Sequence, residues 1–206
     1  MNGCGAIRTA PKYQLADDYY LFRQKGTRYQ NTFVHVENDT IKIVSMKEPK
    51  QLVAVPNSDQ FFLKSSFDID VMTVGFKYRP GTTNLPRQVN TDFNGNAFVG
   101  FRMDRFRVRY THTPIGITKG YHHRAITGGL FFGIGSSAVT PWTTNNLTTD
   151  EYNALILSRG LAVMFGVNNL TVGFGVGWDY LTDRDKNIWI YHNHPWYGLT
   201  VGLNLN

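Results

Sequence analysis

The chain has 206 residues, 42% of them hydrophobic, with 20 glycines, one cysteine and a formal net charge of +6. It contains no run of about 18 apolar residues, which excludes a membrane-spanning helix, and its lone cysteine excludes an internal disulfide. A basic chain raises nucleic acid and anionic lipid as partners, but a cluster of the positive charge, four arginines from Arg102 to Arg109, sits in one segment rather than on a solvated patch, so nucleic-acid binding is not expected.

Residues 1–11 form a tether that carries Cys4. The context Met1-Asn2-Gly3-Cys4-Gly5 resembles the end of a bacterial lipoprotein signal, with glycine just before the lipidated cysteine. That resemblance implies a lipid on Cys4 and a true start upstream of Met1; the alternative is a free thiol on the terminus. Residues 12–57 then read as a small β module. Tyr19 to Arg23, Tyr29 to Val36 and Thr40 to Met46 are short strands, with Glu37-Asn38-Asp39 as the turn between the last two. About 45 residues bury too little surface to be very stable alone. Asp39-Thr40-Ile41 resembles the three-residue O-glycosylation motif of exported Bacteroidota proteins, which makes Thr40 a candidate glycosylation site; a plain turn is the alternative.

From residue 61 to residue 206 the pattern is a repeated period of 2. Phe67, Ile69 and Val71 alternate with Asp68 and Asp70, and a slip near Thr73-Val74 predicts a bulge. A polar loop follows, Pro80 to Thr91. Phe93 to Met103 alternates again, Asp104-Arg105 reads as a turn, and Phe106, Val108 and Tyr110 oppose Arg105, Arg107 and Arg109. Thr113 to Gly120 is read as a loop. Tyr121 to Val139 exceeds one membrane strand of about 10 residues and is split at Gly128-Gly129. After the loop Thr140 to Glu151, Leu157 to Val167 and Leu170 to Tyr180 flank the hairpin turn Asn168-Asn169. Leu181 to Pro195 is the last loop, and Tyr197 to Leu205 the last strand.

In these strands one face is apolar, while the other is glycine and small polar residues: Gly173, Gly175 and Gly177 oppose Phe174 and Val176, and Gly198, Thr200 and Gly202 oppose Leu199 and Val201. That suits the crowded inside of a narrow barrel whose outside meets lipid. The expectation is all-β: an eight-stranded antiparallel up-and-down transmembrane β-barrel, preceded by the small β module. Long and short connections alternate, as short periplasmic turns and longer external loops do, and tyrosines and tryptophans crowd the long-loop ends. Residues 61–206 resemble the small OmpA/OmpX-like barrels in architecture, and the ending from Gly198 to Asn206, with the N-terminal module, is similar to outer-membrane proteins of Bacteroidota. The resemblance implies an outer-membrane location, with the module and short turns periplasmic and the long loops extracellular.

Arg102, Arg105, Arg107 and Arg109 are expected in the lumen, with Asp68, Asp70, Asp92, Asp104 and Asp179 as candidate partners. Buried charges must be neutralised, so an ion-paired plug is the primary reading and an anion-binding or gated interior the functional one. His112, His122, His123 and the pair His192 and His194 are expected near the external ends of the strands. A His-x-His pair suits a metal, but no carboxylate or thiol is placed beside it, so packing histidines are expected and no metal or other cofactor. Ser136 or Ser158 with a histidine would be needed for a lipid-modifying enzyme, and no nucleophile motif supports one. The reading is a non-enzymatic structural or accessory subunit of a larger outer-membrane complex, such as a protein assembly or export machine, with lipid and protein partners. The alternatives are a lipid-modifying barrel enzyme and a surface adhesin or receptor.

Overall fold

The computed structural model describes residues 13–37, 40–46, 51–53, 59–81, 87–167 and 170–203. Cys4 and its tether, Asn38-Asp39 and the Asn168-Asn169 turn lie outside them. The period-2 segments form eleven strands: β1 (Asp18–Gln24), β2 (Gln30–Glu37), β3 (Thr40–Ser45), β4 (Gln51–Val53), β5 (Gln60–Arg79), β6 (Gln88–Asn90), β7 (Asn94–Thr113), β8 (Gly116–Val139), β9 (Tyr152–Val167), β10 (Leu170–Leu181) and β11 (Pro195–Leu203). They join one antiparallel sheet; among the described residues the only helical pieces are two short 3-10 turns, Trp142–Thr144 and Arg184–Asn187.

The pairings run β5–β7–β8–β9–β10–β11, and β11 pairs back onto β5, from Tyr197 opposite Tyr78 to Leu203 opposite Val71. This circuit has six members rather than the eight expected, because two expected breaks are absent. At Asp104-Arg105 the ladder continues on both sides: Asp104 faces Lys64 and Ala125, and Arg105 faces Leu63 and Arg124. Gly128 and Gly129 stay in register with Phe101 and Gly100 on one side and with Val163 and Ala162 on the other. Glycine is required here by close approach rather than by a turn, since a Cβ on Gly100 would lie 2.6 Å from the Gly128 carbonyl oxygen. The reversal falls instead at Pro114-Ile115, between Thr113 and Gly116, where Gly116 has φ +132°.

Inside the circuit, Met72, Val74, Phe98, Phe131, Ala162, Met164 and Trp196 form a buried cluster. The expected bulge occurs at Gly75: the register with β11 slips by one residue there, so Val74 points in, Phe76 points out, and Lys77 and Arg79 point in. The inward glycines let large rings fill the space. A Cβ on Gly177 would run into Trp196 and come within 2.8 Å of Phe131.

At one end, β1 to β4 extend the sheet from the first residues of β5. Leu21 to Gln24 pair with Gln60 to Leu63, so the ladder crosses the boundary expected between residues 57 and 61. A second core joins Leu15, Tyr20, Phe22, Val34, Ile41 and Ile43 to Phe62, Phe106 and Val108 of β5 and β7. Residues of the small module therefore bury their apolar face against strands of the larger region, which answers the shortage of core in so short a segment. At the other end, Trp189 and Tyr191 of the β10–β11 connection pack with Val139, Ala154, Ile156 and Leu181.

Candidate functional site

The charged residues divide into an inner and an outer set according to strand parity. Inside, Arg102 bonds Asp104 (Nε to Oδ1, 2.9 Å) and lies 3.6 Å from Asp68; His123 Nε2 is 2.7 Å from the same Asp104 oxygen, and its ring packs on Phe106. Asp70 is buried nearby on the inward face of β5. These residues fit the expected interior ion-pair network.

A second buried network lies toward the opposite end. Asp179 accepts from Lys77 (3.1 Å), Arg79 (2.5 Å), the Ser158 hydroxyl (2.6 Å) and the Trp196 indole N–H (2.9 Å). Lys77 Nζ also donates to Ser158 and sits over the Trp196 ring; Arg79 stacks beneath Trp189 and Tyr191. Lys77, Arg79, Ser158, Asp179 and Trp196 are all buried. With two cations, a carboxylate and a hydroxyl bonded to one another, this arrangement pins β5, β9, β10 and β11 together, while Arg79 Nε and Nη1 make no hydrogen bond among the described residues and meet the Trp189 and Tyr191 rings. Lys77 and Arg79 were not among the expected lumen residues. The signal was present, since both alternate with Phe76 and Tyr78; recognising it required the bulge to fall at Gly75.

Arg105, Arg107 and Arg109 are not in the interior. The continuous strand carries them on the parity of Phe101 and Met103, so they project outward, while Arg102 and Asp104 project inward. The expected turn at Asp104-Arg105 would have reversed that parity, and its absence puts the three arginines on the other face. There they meet Asp59, which accepts from Arg107 (2.5 Å) and Arg109 (3.4 Å). The hydrogen bond from Arg107, with its charge and that of Arg109, holds the Asp59 carboxyl below the usual carboxylate range despite burial. Arg105 stands directly opposite Arg124 in the ladder, and Arg107 opposite His122. These side chains and Phe61 line a cleft of about 330 Å³.

The remaining candidates are dispersed. Asp92 is on the β6–β7 connection; His112 is exposed near the Pro114-Ile115 turn; Thr40 is exposed at the start of β3. His192 packs against Tyr180, and burial lowers its pKa, followed by the charges of Lys186 and His194. Among the described residues no three His, Cys, Asp or Glu side chains converge as metal ligands. Ser136 points outward, and Ser158 is engaged by Asp179 and Lys77, so neither serine is assembled with a histidine into a nucleophile–base pair. No protein-family model, curated protein or solved structure matches the chain.

Proposed function

We propose that the six-strand circuit is a closed transmembrane β-barrel of an outer membrane, and that the protein is a non-enzymatic structural or accessory subunit of a larger complex there. The barrel anchors it; the lobe built around β1 to β4 and the opposite rim are the surfaces offered to protein partners. The carrying observation is the polarity of the strands. Every member of the circuit turns large apolar side chains outward, among them Phe67 and Ile69, Phe101, Leu130 and Phe132, Leu161, Phe174, and Leu199, each between 46% and 77% exposed. Fully burying such a side chain contributes about 1.5–3 kcal/mol, so a whole belt of them in water would be strongly unfavourable. A protein partner covers one side of a molecule, whereas lipid covers all sides, which favours a membrane.

Four further features support the reading. Tyr78, Trp142, Tyr180 and Tyr197 are exposed toward one end, where interfacial aromatics are favoured. Arg159 is the outward charge of β9 and sits level with Trp178, close enough to that rim for its stem to carry the guanidinium toward water. The interior is filled by rings and ion pairs rather than open, as a narrow bore with inward glycines permits, which favours an anchor over a pore. Ser158 is fully buried and engaged, which favours a structural over a nucleophilic role.

Reconstitution tests the membrane assignment. Detergent-refolded protein should float with liposomes and leave the lobe, but not β8 to β10, open to protease. A chain that stays monomeric and soluble at neutral pH without detergent would refute it. Mild detergent extraction from native membranes should then carry protein partners through purification, and recovery of the chain alone would argue against the accessory role.

A further inference from the structure

The interior accounts for Arg102, but five other arginines sit on the outward side where the apolar belt ends. Arg23, Arg105 and Arg107 surround a single ring, with guanidinium carbons 5.0, 5.1 and 5.7 Å from the centroid of Phe61. Phe61 is itself only 8% exposed, roofed by these cations from the strands on either side of β5. Arg109 and Arg124 complete the cluster. Asp59 serves Arg107 and Arg109, whereas Arg105 and Arg124 face each other across the ladder with no carboxylate partner among the described residues. Directly opposed like charges destabilise a strand pair. A sheet that retains them at one point is arranged for an anion.

The position selects the anion. Going up β7 and β8 from Arg105 and Arg124, the next outward residues are Met103 and Ile126, then Phe101; Val167 stands across from Arg124 in β9. All four are exposed and apolar. A ligand held here would place a negative head between guanidinium groups and an apolar tail along the belt. Guanidinium forks bind phosphate oxygens in pairs and are weakly hydrated, which suits them to such a site.

We propose that Arg105 and Arg124, supported by Arg107, Arg109, Arg23 and the Phe61 ring, bind the phosphate headgroup of an anionic glycerophospholipid at the boundary of the membrane. This assignment rests on the membrane reading above. It fixes the depth at which the barrel sits and holds the lobe of β1 to β4 against the headgroup layer.

The test compares wild type with the double variant Arg105→Gln, Arg124→Gln, both changes on exposed side chains away from either core. Each protein is placed in nanodiscs of phosphatidylcholine with a small fraction of phosphatidylglycerol, and the lipid retained on release is counted by native mass spectrometry. Wild type should retain phosphatidylglycerol over phosphatidylcholine, and the double variant should lose roughly 30-fold of that preference, the effect of two arginines at an anionic surface. Equal retention of both lipids by correctly inserted wild type would overturn the site while leaving the membrane reading intact. Failure of wild type to enter nanodiscs at all would overturn the membrane reading instead. Glycerol phosphate, added as the soluble headgroup, should not compete at equal concentration; competition would make the site one for free phosphate compounds. Retention of an acidic polypeptide in place of lipid, lost in the same variant, would also overturn the proposal.

Discussion

The two regions of this molecule share β5 and β7 and differ in what β7 turns outward. In the six-strand circuit, β7 turns Asn94, Asn96, Phe98, Arg102 and Asp104 inward and Val99, Phe101 and Met103 outward. One step further along the same strand the assignment reverses: Phe106 and Val108 enter the core of the N-terminal lobe, and Arg105, Arg107 and Arg109 face out. β8 changes in the same place, from Leu130 and Ile126 outward to Arg124 and His122. In the membrane reading proposed above, the lobe follows the rule of a sheet in water, apolar face inward, and the circuit the rule of a sheet in hydrocarbon. On that reading the inversion between residues 104 and 105 marks where the medium changes; Arg102 and Arg107, five residues apart in one strand, have entirely different surroundings.

Breaking the interior should cost most. Asp179→Ala leaves Lys77 and Arg79 buried without their carboxylate, and loss of one partner of a buried pair costs about 3–5 kcal/mol. Urea unfolding in detergent, followed by heat-modified gel mobility, should show little or no folded protein. Arg102→Ala should fall in the same range, since it strips Asp68 and Asp104 of their guanidinium. By contrast Arg107→Ala, whose side chain is 37% exposed, should cost at most about 1 kcal/mol. Equal losses for the two arginines would erase the distinction between the regions.

Phe174→Lys probes the medium itself. It places a charge on the outward face midway along β10 and should destabilise the protein in bilayers by roughly 2–4 kcal/mol, while Tyr19→Lys, equally exposed on the lobe, should be close to neutral. If both are neutral, the belt does not face lipid. Planar-bilayer recordings then address the filled interior, and wild type should give no steady ion-selective openings. The smallest effect is acid dependence at the lobe. Asp59 has its pKa depressed in the folded state, so its contribution is present above the ordinary aspartate range, near about 4, and is lost as pH falls through the depressed value. In Arg107→Ala the midpoint of Asp59, followed by carboxyl NMR shifts, should move up toward the ordinary range.

Much of this was legible in the residue order. Alternation alone marked the chain as all-β and gave the outward face of β9, β10 and β11 and of the stretches 93–103 and 130–139, because a pleated strand sends successive side chains to opposite sides whatever it pairs with. The slip near Thr73-Val74 announced the bulge, displaced by one residue to Gly75. What alternation does not carry is where a strand stops. Asp104-Arg105 has the look of a turn and Gly128-Gly129 that of a break, yet both pairs run straight through: the first is paired on both sides, and the glycines serve a tight interstrand contact instead of a turn. That decision belonged to the ladder: Arg105 and Arg124 stay opposite each other because β7 and β8 pair without interruption from Thr113–Gly116 to Asn94–Gly135. Parity then placed three expected lumen arginines outside and admitted Lys77 and Arg79 in their stead. The sharing of one core between β1 to β3 and β5 and β7 was likewise beyond local pattern, because burial of Phe62, Phe106 and Val108 depends on segments about 20 to 85 residues away in the chain folding across them.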